Sequence, residues 1–162
     1  MANTDAIIDI VRKITQKKEP PCKKTLQKIV FLIEAKGTDL GFGYGIHFYG
    51  PYSADLDFAV REMNAEGLLQ IEYTPMEHRI SANTKAHFSS YPNDTIDDVI
   101  NEFGKDTPTE LELLTTALYV YLASEKDRSK IKDGVKKIKG AKFGDHRISQ
   151  AILRLEKTGY IV

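Results

Sequence analysis

The residues best placed to do chemistry in this 162-residue chain lie between positions 126 and 154. Lys126, Arg128, Lys130, Lys132, Lys136, Lys137, Lys139, Lys142 and Arg147 stand there against Asp127, Asp133 and Asp145. Ammonium and guanidinium groups neutralise phosphate oxygens and release condensed counterions. Lys136, Lys137, Lys139, Lys142 and Arg147 are therefore candidate phosphate contacts. Ser149, Gln150 and Arg154 follow on the next predicted helix as candidate groove contacts, with side chains that hydrogen-bond base edges. This set points to duplex DNA as a partner. The segment 53–67 has the opposite character, with Asp55, Asp57, Glu62 and Glu66 against Arg61. Phosphates repel such a face, so the competing expectation is a protein partner held by Asp55, Asp57 and Glu62, without DNA binding.

Other chemistry finds little support. His47, His78, His87 and His146 show no i, i+3 or i+4 pairing and no known ligand pattern. A zinc site needs three or four convergent ligands, so no metal is expected, and no other cofactor. Asp97-Asp98 and Glu110/Glu112 read as exposed carboxylates at helix starts, serving the helix dipole. No G-x-S-x-G, Cys–His or Walker pattern occurs, and a non-enzymatic protein is expected. Gly41-x-Gly43-x-Gly45 follows a helix and lacks the G-x-G-x-x-G spacing of a dinucleotide loop. Phe42, Tyr44, Phe48, Tyr49 and Tyr52 share this segment with glycines. Such rings either stack bases or pack beneath the loop and anchor it to the first two helices. Packing is the favoured expectation, because Phe and Tyr mainly supply buried area.

The elements that must position these residues are announced by a repeated phrase. Leu56-x-x-Ala59-Val60-x-x-Met63-x-x-x-Gly67-Leu68-Leu69 returns as Ile148-x-x-Ala151-Ile152-x-x-Leu155-x-x-x-Gly159-Tyr160-Ile161. The apolar residues fall at i, i+3, i+4 and i+7, one face of a helix. A glycine follows where a helix end needs a left-handed residue, and a β-prone run comes next. Both helices are predicted to bury these positions, each with a strand after its glycine.

Ile7, Ile10, Val11 and Ile14 mark a first helix ending before Pro20-Pro21. Leu26, Ile29, Val30 and Ile33 mark a second. Gly50-Pro51-Tyr52 is predicted to turn the chain into the third helix, capped by Ser53. Tyr49 or Tyr52 is expected against Phe31 or its neighbours. Leu68 to Tyr73 and His78 to Ala82 read as a hairpin about the turn Thr74–Glu77. Ile96, Val99, Ile100 and Phe103 mark a further helix. Thr107-Pro108-Thr109-Glu110 has the form of a capping box with proline at the first helical position. Ile131, Val135 and Ile138 mark another helix, Gly140 to Gly144 a tight connector, and Asp145 the cap of the last helix. Helix, short turn, helix is helix-turn-helix order. The predicted fold is α+β, mainly helical. It has two winged-helix-like halves sharing a core: residues 1–92 with a hairpin wing, and 93–162 of helix-turn-helix type.

One stretch reaches beyond generic pattern. Lys24-Thr25-Leu26-Gln27-Lys28-Ile29-Val30-Phe31-Leu32 is followed by Phe48-Tyr49-Gly50-Pro51-Tyr52-Ser53-x-x-Leu56. This pair resembles a family of small, uncharacterised prokaryotic winged-helix-like proteins, distantly similar to the Panacea (SocA-like) antitoxin domain. His78-Arg79-Ile80-Ser81, continuing to Thr84-Lys85, resembles that family's wing return. The chain departs from the Panacea pattern in Tyr52 after the proline and in its second winged-helix-like half. The resemblance implies a regulatory or interaction role with no catalytic residues.

Net formal charge is zero, so any basic surface must come from uneven placement. Residues 12 to 28 also run basic, with Glu19 alone opposing seven Lys/Arg. The single cysteine, Cys22, forms no internal disulfide and suits a reducing cytoplasm. No apolar run reaches membrane-spanning length, and the first residues lack the apolar core of a signal peptide. Composition leaves a homo-oligomer open.

Overall fold

The computed structural model describes residues 2–83 and 91–162; Thr84, Lys85 and His87 lie outside them. The protein is α+β and mainly helical. Helices α1 (Ala2–Lys17) and α2 (Lys23–Ala35) are followed by strands β1 (Gly45–His47) and β2 (Gly50–Tyr52). Then come α3 (Ala54–Ala65), β3 (Leu69–Tyr73), β4 (His78–Ala82), α4 (Asp94–Phe103) and α5 (Pro108–Ala123). A 3₁₀ turn at Arg128–Lys130 leads to α6 (Ile131–Lys139) and α7 (Asp145–Lys157).

Helices α2 and α5 form the centre. Residues Thr25 to Ile33 of α2 are all buried, and so are Leu111 to Leu118 of α5. A helix apolar on all sides must be surrounded, and these two pack on each other with the remaining elements around them. One apolar core, from Ala6 to Ile161, runs through both halves. Helix α5 starts at the expected capping box: Glu110 N–H donates to Thr107 Oγ1 at 3.1 Å, and Thr107 N–H to Glu110 Oε1 at 3.0 Å. Ser53 caps α3, accepting from Leu56 N–H at 3.1 Å. Helix α6 lies close to α5 because Gly134 is bare; a Cβ there would overlap the Val120 side chain.

Strands β3 and β4 pair antiparallel, Leu69 opposite Ala82 and Tyr73 opposite His78. Extended Pro21-Cys22, between α1 and α2, adds to the outer side of β4. Cys22 bridges Arg79, and Ile80 N–H donates to Pro21 O at 2.9 Å. This hairpin is therefore tied to the start of α2.

The repeated phrase yields the same helix end twice. Gly67 (φ 79°) and Gly159 (φ 84°) take the left-handed conformation. Leu68 N–H returns to Met63 O and Tyr160 N–H to Leu155 O, both at 2.9 Å. That is the six-to-one bond of a Schellman end. Leu56, Val60, Met63, Ile148, Ala151, Ile152 and Leu155 are buried, whereas Ala59 is only half-buried.

Three local expectations are corrected. Tyr160–Val162 is not a strand: among the described residues no strand pairs with it, and Tyr160 instead plugs the core, its hydroxyl donating to Leu32 O at 2.8 Å. Gly50–Tyr52 is strand β2 paired with β1, and the reversal falls at Phe48-Tyr49. Gly144 occupies the cap of α7, and Asp145 is its first helical residue, paired with Lys136.

Candidate nucleic-acid interface at the hairpin tip

The β1–β2 hairpin is held by side chains from both halves of the chain. From α2, Gln27 pairs with the backbone of Ser53: its Nε2 donates to Ser53 O at 3.0 Å, and Ser53 N–H donates to its Oε1 at 2.8 Å. One turn-mate along, Lys28 Nζ donates to Pro51 O at 2.8 Å. The two motifs Leu26-Gln27-Lys28 and Gly50-Pro51-Tyr52-Ser53 are thus one hydrogen-bonded unit. From α6, Lys139 Nζ donates to Phe48 O at 2.6 Å. From α5, Glu112 meets Lys139 Nζ at 3.1 Å and accepts from Lys142 Nζ at 2.9 and 2.8 Å. Glu112 and Lys139 are almost wholly buried, their side chains 4 % and 5 % exposed.

Lys28 is buried and its ammonium is pushed down to about 8, chiefly by burial; Glu112 opposes the shift, and Lys139 and Lys24 add to it. Below pH 8 Lys28 is charged whether folded or unfolded, and burial of that charge opposes folding. Between about pH 8 and 10.5 the unfolded chain keeps a proton the folded chain has released, so stability rises with pH. Lys28→Met should remove this rise. Urea titrations of parent and variant should show their stability difference moving in the parent's favour from pH 8 to pH 10; tyrosine ionisation above that is common to both.

The tip itself is open. Phe48 is 91 % exposed and Tyr49 46 %. Lys24 Nζ lies 3.5 Å from the Tyr49 ring centre, and Lys142 Nζ lies 5.6 Å from it. The His47 and Tyr52 rings meet at a tilt of 36°, their centres 4.7 Å apart. Beneath the tip is a cleft of about 370 Å³, lined by these rings together with Lys23, Lys24 and Lys28. Lys23 also pairs with Asp57 at 3.0 Å. Lys23, Lys24 and Lys28 of the basic run 12–28 and Lys139 and Lys142 of the run 126–147, far apart in sequence, therefore meet here. Lys24, Lys28, Lys139 and Lys142 surround one hairpin, and Glu112 is the carboxylate bonded to Lys139 and Lys142 and facing Lys28.

The expected contact residues divide accordingly. Lys139 is not an exposed phosphate contact, because it is folded inward onto Glu112 and Phe48. Arg154 is turned onto Glu102 (3.3 Å), Asp106 and the Phe103 ring (4.5 Å) instead of a free groove face. Lys142 is half-used by Glu112, and exposed Lys136 by Asp145. Lys137, Arg147 and Gln150 are exposed, and Ser149 is half-buried. Arg147 lies over Phe143 at 5.3 Å. On α3, Asp55 and Glu62 are exposed, while Asp57 is taken up by Lys23 and by Arg61 at 3.6 Å.

Glu112 is 3 % exposed and not a surface carboxylate, because α5 is enclosed on every side. The aromatic segment splits. Tyr44 packs edge-on against Phe31 at 5.1 Å, and Phe42 is partly buried against the core. Tyr44, not Tyr49 or Tyr52, is the ring that reaches Phe31; those two meet α2 at Lys24 and Lys23. Phe48 stays in water, its ring centre 6.2 Å from that of Tyr49. Sequence reasoning missed Glu112 and Gln27 as the parts of the clamp, and also Phe58, which is 58 % exposed on α3. Among the described residues, no group of three or more His, Cys, Asp or Glu is placed to hold a metal ion, and no helix is long and apolar enough to cross a membrane. Comparison with protein-family models and with curated proteins finds no match.

Proposed function

We propose that this is a non-enzymatic regulatory protein of the cytoplasm, built of two winged-helix-like halves, that contacts duplex DNA through its basic C-terminal half. The order α1, extended Pro21-Cys22, α2, α3, β3, β4, with the β1–β2 hairpin inserted between α2 and α3, supports a winged-helix-like first half. The order α5, α6, five-residue turn, α7 supports a helix-turn-helix-like second half. The resemblance of the α2 and Gly-Pro-Tyr motifs to antitoxin-like winged-helix proteins fits this build. Those residues hold the hairpin, so the resemblance speaks to fold more than to partner.

The observation that carries the reading is the exposure of Lys136, Lys137, Lys142, Arg147 and Gln150 on and around the α6–α7 turn. Lys136, Lys137, Lys142 and Arg147 are the phosphate contacts and Gln150 the groove contact. Lys139 and Arg154 support the scaffold. With about four phosphate contacts, affinity for duplex DNA should fall on the order of 100-fold between about 50 and 200 mM salt. A gel shift at both salts measures this. Lys137→Ala with Arg147→Ala should weaken the shift at low salt and flatten its salt dependence. Absence of any shift at about 50 mM salt, where electrostatic binding is strongest, overturns the reading.

A second reading rests on α3. Phe58 is exposed between Asp55 and Glu62, an apolar anchor with an acidic rim, which suits an adaptor or antitoxin-like module with a protein partner. It predicts no salt-sensitive DNA binding, and loss of the partner when Asp55 and Glu62 are changed.

A further inference from the structure

We propose that the β1–β2 hairpin tip and the cleft beneath it bind single-stranded nucleic acid. One base stacks among Tyr49, Tyr52 and His47, a second stacks on Phe48, and Lys24, Lys142 and Lys23 meet the phosphates. The site does not rest on the duplex reading, which uses Lys136, Lys137, Arg147 and Gln150 on α6 and α7; the two readings share Lys142, between those helices.

Two kinds of group meet here, and each selects part of the ligand. Ring faces take other flat rings, and ammoniums take phosphates. Sequence-tolerant single-strand sites combine these two features. The cleft, about 370 Å³, falls within the usual range of small-ligand sites, about 300–1,000 Å³. Glu112 and Asp57 are the carboxylates nearest these lysines, and each is already bonded to lysine. The backbone under the rings is fixed: Phe48, Pro51 and Ser53 carbonyls all accept from buried side chains. An exposed ring on a fixed backbone loses little freedom on binding, which favours affinity.

The geometry also separates the candidates. Bases inside a duplex offer no free face to these rings. A free nucleotide brings one base for several rings, whereas adjacent bases of a strand reach both positions. An acidic peptide would satisfy the lysines but leave the ring faces against carboxylates.

The test is fluorescence anisotropy at about 50 mM salt with a labelled oligothymidine of about 20 nucleotides, long enough for the usual site sizes. Thymidine monophosphate, a poly-glutamate peptide and a duplex serve as comparison ligands. The variants are Phe48→Ala, Tyr49→Ala and Arg147→Ala, each checked by circular dichroism; Phe48 is too exposed for its loss to unfold the protein. The oligothymidine should bind, and each aromatic variant should weaken it about 5- to 100-fold. Arg147→Ala should leave it unchanged, and Phe48→Ala should leave any duplex binding unchanged, so the two readings fail separately. Any of four results would overturn the proposal: no binding; binding that ignores both aromatic variants; monophosphate binding as tight as the oligomer; or poly-glutamate binding as tight as the oligomer.

Discussion

Glu112→Ala should destabilise the protein by about 3–5 kcal/mol, the usual cost of removing one partner of a buried ion pair. Glu112 is the carboxylate that Lys139 and Lys142 share, and it also faces Lys28. Lys139 and Lys28 are buried and cannot turn to water without leaving Phe48 O and Pro51 O. Removal of the carboxylate leaves both ammoniums inside a poorly polar seam. Urea denaturation at pH 7 measures the loss. Lys142→Ala is the control: its side chain is 42 % exposed, and such pairs contribute only about 0–1 kcal/mol. Lys139→Met in the Glu112→Leu background should restore part of the loss, since an apolar pair of similar volume replaces a buried ionic one with little penalty. A loss below about 1 kcal/mol in Glu112→Ala would mean that the clamp does not hold the two halves together.

The clamp was also the least legible part of the chain. What could be read was local. The repeated phrase predicted two helices with left-handed glycine ends, and Gly67 and Gly159 make the same returning bonds. Thr107 and Ser53 announced their caps because each cap lies within one turn of its helix. The β3–β4 hairpin was readable from two β-prone runs around Thr74–Glu77, whose turn closes with Thr74 N–H donating to Glu77 O at 3.0 Å.

What could not be read depends on packing between distant segments. Glu112 lies two residues beyond Glu110, the first-turn acid of α5, close enough to the helix start that in sequence it reads as another carboxylate serving the helix dipole. Only the enclosure of α5 by α2, β2, α6 and α7 makes it a buried counter-ion. Lys136, Lys137, Lys139 and Lys142 look alike in sequence. The approach of α6 to α5 at Gly134 turns Lys139 inward, while Lys137 stays in water. The hairpin β1–β2 has three-residue strands, too short for an alternating pattern, and its Phe48-Tyr49 reversal lacks the Asn-Gly or Asp-Gly signal of a tight turn. Tyr160–Val162 has strand composition but no neighbouring edge, and composition alone forms no strand.

Gly50→Ala should cost about 2–4 kcal/mol, combining backbone strain with overpacking. Gly50 sits at φ 102°, a conformation side chains rarely adopt. Its added methyl would lie 3.0 Å from Thr116 Oγ1 and 3.4 Å from Lys28 Cε. The Thr116 hydroxyl is buried without a hydrogen-bond partner, so no existing bond would be broken by its shift. Lys28 is less free, because moving it costs the bond to Pro51 O. Both effects push β2 away from the α2–α5 seam, so the bonds from Lys28 to Pro51 and from Lys139 to Phe48 should loosen together. Proteolysis within residues 45–52 should therefore rise along with the loss of stability seen in urea. Gly45→Ala on the paired strand is the matched control. It meets no atom within 4 Å, and exposed or open positions usually shift stability by no more than about 0.5 kcal/mol. Equal losses in the two variants would place the sensitivity in the hairpin's own strands and remove the seam as its cause.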